Sequence, residues 1–446
     1  MSHTAPWIIV GGGASGLASA FFLKQRGIDS VIVERDGTLG GRMGTVRLGD
    51  RDLDCGGKNI GRQYRLFRQF AASLGSHPME HFGLNSSQAV NGRIRTFDGG
   101  ARWRTMARLA SGLSANDMVR FGRLVWRVRR DEATGYLGTE WSRRLSDSYD
   151  DLPVNRYFSP EFCERIIRPM SVRMNGAEPA EIYMGTLLSN VRMILDSYEQ
   201  FTHGLAPLLN ACVGAYDVRL NTTVQELLVE GDRVTGVRVA DAHGETRDLR
   251  GAGVILATPA PAAARLTASL LPGLADQLRS VAYYPVTLVL AEYDRPIFSS
   301  SVRAIVFDHW HALSNAGAYG INDLNLVRYT FSGRTARRLI DTMDADALLH
   351  CAETTLSRYV AVERGWRRRV VVRRFNPGLC AYTPHHTTFL DRIIADARQI
   401  AGLYLTGDYV QGASIEACFR AASACVQQLA TRHHSPLERC DSRIVA

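Results

Sequence analysis

Gly11, Gly13 and Gly16 stand at the spacing G-x-G-x-x-G, with Glu34 one helix and one strand further on. Gly11 permits a tight turn, Gly13 lets a pyrophosphate approach bare backbone, and Gly16 lets a helix pack close to a strand. A carboxylate at Glu34 accepts hydrogen bonds from ribose hydroxyls, so the chemistry implied is dinucleotide binding. Behind Gly40-Gly41, Arg42 can swing a guanidinium toward the pyrophosphate. A second reactive group is Lys58-Asn59, which follows Gly56-Gly57. Lys24 and Lys58 are the only lysines in the chain, and Lys24 falls on the solvent side of the first helix. A desolvated Lys58 would have a lowered pKa and act as a base, or it would fix a substrate carboxylate. A purely structural contact to backbone carbonyls or phosphate is an equal alternative. His309, His311, His385 and His386 form two close pairs without a carboxylate motif and read as surface residues.

The elements that must position these groups follow from periodicity. The apolar run Trp7–Val10 is short enough for a buried strand, and a helical pattern runs from Ala14 to a stop at Gly27. A second strand, Ser30–Val33, delivers Glu34. Four glycine-rich turns in the first 61 residues imply backbone wrapped around a large ligand, and residues 63–74 read as a helix. Residues 84–100 read as a hairpin. Residues 104–144 are helical and basic (Arg104, Arg108, Arg120, Arg123, Arg127, Arg129, Arg130), with Trp103, Phe121, Leu124, Val125 and Trp126 as an apolar stripe. A solvated outer face is the first reading of this segment, and contact with a membrane surface or other anionic surface is the second. Residues 160–200 are helical. Val218–Val229 and Val234–Val239 pair across Gly231-Asp232. Val281–Tyr293 reads as a long strand, Ala304–Phe331 as strand-rich, 336–364 as helical, Pro377–Pro384 as a loop, and Ser414–Thr431 as the last helix.

Composition bounds the rest. With 446 residues, 46% of them hydrophobic, two or three domains can bury a sizeable core. The net charge of +9 is carried almost wholly by arginine and is a poor argument for nucleic acid. The eight cysteines show no metal-ligand spacing, so reduced thiols and no metal are expected. With no transmembrane run and little chain before the first strand, the expected location is cytoplasmic.

The glycine turn, Gly40-Gly41-Arg42, Asp54-x-Gly56-Gly57, the strand-to-proline run Val254–Ala260, and Leu403–Asp408 followed by Gly412-x-Ser414-Ile415-Glu416 together resemble the flavin-containing amine oxidases. That superfamily includes protoporphyrinogen oxidases and carotenoid desaturases. The resemblance implies an α/β (α+β) fold: a Rossmann-type FAD-binding domain of the glutathione-reductase-like class with an interleaved mixed-sheet and helical substrate domain. On that plan residues 1–85, 203–280 and 386–435 form the FAD domain. Residues 86–202 and 281–385 form the substrate domain, with a helical basic subregion near 104–200, and 436–446 are a tail.

The implied cofactor is FAD, held non-covalently because Cys380 stands too close to Gly407 for the family's covalent attachment. Its contacts would be Gly11, Gly13, Ala14, Ser15, Gly16, Glu34 and Arg35 at one end. Gly41, Arg42, Gly57, Gly407 and Asp408 would follow along the chain of phosphates and ribityl. Val224 matches a valine that touches adenine, and Ser414 and Ile415 open a helix aimed at the flavin's pyrimidine carbonyls. Lys58, Asn59 and Tyr382 would face substrate. Two departures weaken simple amine oxidation: the family's flavin-facing lysine falls at Leu288, and one ring of its aromatic cage falls at Ser414. Tyr382 keeps the other ring, and Tyr409 could intrude from the turn before. The implied activity is hydride removal from a C–N or C–C bond of a small substrate, anionic or from secondary metabolism, with oxygen as electron acceptor. The alternatives are a redox-neutral flavin isomerase or cyclase, and a non-enzymatic escort protein. A homodimer is the one protein partner the reading allows.

Overall fold

Trp7–Val10 is buried at every position, as expected of a strand covered on both faces. It lies at the centre of five parallel strands ordered Asp217–Arg219, Ser30–Val33, Trp7–Val10, Gly253–Leu256, Leu403–Leu405. The computed structural model describes residues 5–434 apart from 83–84, 91 and 99–111. On one face of the sheet the helix Ala14–Gln25 packs against the long helix Ile415–His434, with Phe21, Phe22, Phe67, Phe70 and Phe419 in the core. The other face is covered by an antiparallel meander, Thr223–Glu230, Arg233–Ala240 and Thr246–Arg250, and by the helices Ala260–Thr267 and Pro272–Arg279. Strand order and cover are those of a doubly wound nucleotide fold.

A second sheet has seven strands, in the order Arg367–Tyr382, Ala282–Tyr293, Leu326–Phe331, Leu313–Ala318, Ala304–Val306, Asn85–Val90, Arg93–Asp98. All neighbours are antiparallel except Ala304–Val306 with Asn85–Val90. The expected loop at Pro377–Pro384 is instead mostly the end of a sixteen-residue strand. Its register shifts against Ala282–Tyr293, so Pro377 sits in an irregular stretch where no ladder donor is needed. Residues 336–364 hold one substantial helix, Ala345–Leu356, started by the Asp344 carboxylate, which accepts from the Ala347 amide at 2.8 Å.

Helices Ala115–Arg130, Glu140–Tyr149, Arg168–Asn175 and Met184–Leu195 form a lobe around Phe162, Ile167, Leu187 and Val191. Arg104, Arg108 and Trp103 lie outside the described residues, as does the tail. In Ala115–Arg130, Leu124 and Val128 are buried while Trp126 is exposed, so the stripe is narrower than its sequence suggests. Inside the lobe arginines meet carboxylates: Arg165–Glu161 at 3.2 Å, Arg168–Glu178 at 2.8 Å and Arg192–Glu132 at 3.3 Å. Among the described residues no helix is long and apolar enough to cross a membrane, and seven cysteines are free.

Candidate functional site: a cavity between the two sheets

The glycine turn sets one end of the site. Gly11 has φ +103°, and a Cβ there would lie 2.8 Å from the Ala257 carbonyl oxygen. A Cβ on Gly16 would lie 1.8 Å from the Gly11 carbonyl oxygen, so helix and strand touch at that point. Gly13 differs: its nearest neighbour would be Gly40 O at 3.9 Å, and the space beside it belongs to the cavity. No side chain caps the helix that starts at Ala14, leaving its first amides to an anion. Both oxygens of Glu34 are anchored, accepting from the Gly12 amide at 2.6 Å and the Asp36 amide at 2.9 Å.

From this turn a cavity of about 640 Å³ runs toward the second sheet. Gly11, Gly13, Ala14, Ser15, Glu34, Arg35 and Val224 line its first half. Gly41, Arg42, Gly57, Gly407, Asp408 and Ile415 line the rest, together with Met174 and the strand segment 373–380. Midway, Arg42 donates to the Asp408 carboxylate at 2.6 Å and to the Gly378 carbonyl at 3.0 Å. Burial works against the Arg42 charge, but Asp408 outweighs it and raises the pKa. The other Asp408 oxygen accepts from the Tyr283 hydroxyl at 2.6 Å. Tyr283, Arg265, Arg373 and Phe375 went unnoticed in the sequence, since each sits in a segment that reads as ordinary strand or helix. Cys380 and Cys418 are in the wall, and burial pushes both thiols up, Cys418 to about 12.

Five residues named from the sequence stand behind the wall. Gly16 is the helix–strand contact. Ser414 caps the last helix, accepting from the Ala417 amide at 3.1 Å, and lines a separate small cleft with Tyr136 and Arg192. Tyr382, at φ +68°, is buried edge-on against His386, 5.0 Å between ring centres. Lys58 is buried with its ammonium 4.0 Å from the Tyr319 ring centre, 5.0 Å from that of Phe82 and 3.3 Å from Gln200 Oε1. Desolvation first, then the Arg328 charge, lower its pKa to about 7 against Asp54, Asp323 and Glu80. Asn59 keeps a buried side-chain oxygen without a hydrogen-bond partner among the described residues. Tyr409 is wholly buried and its ring packs under Gly407, so it supplies no cage ring. His386 is not at the surface: it is buried, its Nε2 lies 2.7 Å from the Tyr409 carbonyl, and desolvation lowers its pKa to about 4. Leu288 is buried in the centre of its strand.

Residues 14–430 match the family of flavin-containing amine oxidoreductases. The chain belongs to that family. It is 27% identical over 270 residues to the protein named flavin-containing monoamine oxidase AofH of Mycobacterium tuberculosis, covering 56% of this chain and 53% of the relative. The chain thus spans about half the length of that relative. In fold it resembles a protein described as a protoporphyrinogen oxidase from Exiguobacterium, with a TM-score of 0.73 at 17% identity over 97% of this chain and 100% of the other. Cyclohexylamine oxidase from Brevibacterium oxydans gives a TM-score of 0.72 at 17% identity, with the same coverage. The cofactor of that family is a flavin, FAD. The cavity fits the cofactor: a tight glycine turn at a helix N-terminus, an anchored acid and an elongated space all serve a dinucleotide.

Proposed function

We propose that this enzyme draws a hydride from a C–N or C–C bond of a small molecule and that oxygen reoxidises the cofactor. The observation that carries the reading is the continuous cavity, which leads from the glycine turn to a face of Gly57, Met174 and Ile415 beneath the second sheet. Bound FAD supplies the hydride acceptor. Glu34 and Val224 would hold the adenosine end, Arg42 and Asp408 the middle, and Ile415 the ring end. The raised thiol pKa values of Cys380 and Cys418 keep both protonated near neutrality, which favours non-covalent FAD. One residue from the cavity, Lys58 can take up or release a proton at Nζ near pH 7, with Gln200 and two rings fixing the amine. With Leu288 buried at the place of the family's lysine, Lys58 and Lys24 are the only amine side chains the chain can offer.

The test is anaerobic mixing of the FAD-loaded protein with candidate amines, amino acids and desaturase substrates, followed by air. Flavin bleaching, an oxidised product and peroxide on reoxygenation are expected for one class. A product isomeric with its substrate and no peroxide would replace this reading with a redox-neutral one. Full FAD occupancy with no bleaching by any class would favour an escort role.

A further inference from the structure

The helix Arg168–Asn175 carries one arginine that breaks the pattern of its neighbours. Arg165 and Arg168 are paired with glutamates, and Arg168 also donates to the Phe307 carbonyl at 3.1 Å. Arg173 has no ion pair or hydrogen bond among the described residues. Surrounding protein lowers its pKa, so it lies deep, yet the residue keeps exposed surface. Both hold together where a side chain faces an internal, water-accessible space.

The end of this helix reaches the ring end of the cavity. Met174, the residue after Arg173, lines the wall. Asn175 donates to the Cys380 carbonyl at 2.8 Å, and the Val172 carbonyl accepts from Ser332 at 3.1 Å, so the helix end is bolted to both neighbouring strands. The strand ending before Ser332 carries Arg328, which donates to the Gly56 carbonyl at 2.8 Å, beside Gly57 of the wall. Arg173 and Arg328 act on each other electrostatically, and Lys58 feels Arg328 as well. Of the carboxylates acting on this group, Asp54 accepts from the Leu205 amide at 2.8 Å, Asp323 is paired with Arg51 at 3.0 Å, and Glu80 accepts from Gln200 at 2.5 Å. Arg173 and Arg328 form no ion pair among the described residues, which leaves unused guanidinium donors in a confined space. Such an arrangement is costly unless an anion completes it.

We propose that Arg173 and Arg328 form an anion subsite beside Gly57 and Met174, and that the substrate carries a carboxylate which these two side chains receive. The proposal rests on the reading of the cavity as the FAD and substrate site, and it names the substrate class. Guanidinium forks suit planar carboxylates with two oxygens. The same charges repel a protonated amine lacking an acid group, so simple monoamines fit this chain poorly.

The experiment titrates the FAD-loaded full chain with benzoate, benzyl alcohol and benzylamine at low salt, following the flavin difference spectrum and calorimetric heat. Benzoate is expected to saturate with a spectral change, benzyl alcohol to bind weakly and benzylamine not at all. Arg173→Met should weaken benzoate about tenfold or more at unchanged FAD occupancy, and Arg173→Lys should recover part of the loss. Arg328→Met should behave alike, and if it fails to fold the two Arg173 variants still decide. Equal benzoate binding in wild type and Arg173→Met, tighter binding of benzylamine, or no benzoate binding to fully loaded protein would overturn the subsite. Protein that takes up no FAD would overturn the cofactor reading instead. Calorimetry with benzoate then still judges the subsite, by whether binding is lost in Arg173→Met.

Discussion

At one end of the cavity the recognising groups are backbone: Gly11, Gly13 and the uncapped amides that open Ala14–Gln25. The groups proposed for the other end are side chains brought from distant parts of the chain: Lys58, Arg173 and Arg328, on a turn, a helix and a strand. The first end is built by leaving side chains out, and its tolerance is set by ångström clearances. The second is built by burying charge, and its behaviour is set by what neutralises that charge. Substitutions should therefore fail differently at the two ends.

The largest effect is expected within the glycine turn, where two neighbouring glycines should separate packing from binding. Gly16→Ala forces a Cβ to 1.8 Å from a backbone oxygen, and the chain should lose more than about 3 kcal/mol or fail to fold. Gly13→Ala has 3.9 Å of clearance and an extended backbone at φ −79°. Its apoprotein should melt within about 1 kcal/mol of wild type, yet FAD should bind at least about tenfold more weakly. Thermal melts and FAD titration of both variants read the contrast. Normal FAD affinity in Gly13→Ala would break it.

That same difference explains what was legible in the sequence. Backbone recognition demands glycine at fixed spacing within a few residues, so the turn, Glu34 and Gly407-Asp408 could be named before any coordinates, and they line one cavity. The parallel sheet was equally visible, because its strands are short apolar runs. Side-chain recognition leaves no such trace. Nothing near Arg173 marks it as different from Arg165 or Arg168 until each is seen with or without its glutamate. Tyr283 lies in a strand of ordinary composition, and its bond to Asp408 joins residues 125 apart. Tyr382 and Tyr409 show the same limit: aromatic residues near a glycine turn serve a core as readily as a cage, and both are buried in the core around the first sheet.

Next in size is Lys58→Met, which probes the charged end. If Lys58 moves a proton in the reaction, flavin reduction at saturating substrate should slow by roughly a hundredfold and lose its rise with pH through about 7. A stability signature accompanies it. Lys58 titrates at about 7 when folded and at an ordinary 10.5 when unfolded. Between those values the unfolded chain holds the extra proton, so this group makes the fold more stable as pH rises across the window. Below about 7 the full cost of burying the charge is felt. Lys58→Met should therefore gain most stability over wild type at pH 6 and little at pH 10, as read by urea unfolding. A reduction rate unchanged at full FAD loading would leave Lys58 a structural group.

Glu34→Ala returns to the backbone end and should weaken FAD by about 1.5 to 3 kcal/mol, the worth of a charge-assisted hydrogen bond. Because Glu34 also braces the amides of Gly12 and Asp36, Glu34→Gln separates the roles. Its side-chain oxygen can still accept from one of these amides, while the charge facing the ribose is gone. Apoprotein titration reads both, and an unchanged dissociation constant in the alanine variant would remove Glu34 from the site.

The smallest effect is expected where the two ends meet. Tyr283 reaches from the second sheet to Asp408 of the first, at 2.6 Å, while Arg42 holds the opposite oxygen at 2.6 Å. Tyr283→Phe keeps the ring, its packing and the Arg42 pair, and removes one neutral donor. The net worth of such a bond is about 0.5 to 1.5 kcal/mol. Asp408 lines the cavity, so if it contacts FAD its orientation matters to the cofactor, and the loss should appear as a severalfold weaker FAD with melting of the apoprotein little changed. If the bond serves only to join the sheets, the loss falls on the melt and leaves FAD affinity alone. Double-mutant analysis with Arg42→Met sharpens the choice, since two groups orienting one carboxylate for a ligand should be coupled in FAD affinity, while two independent braces add.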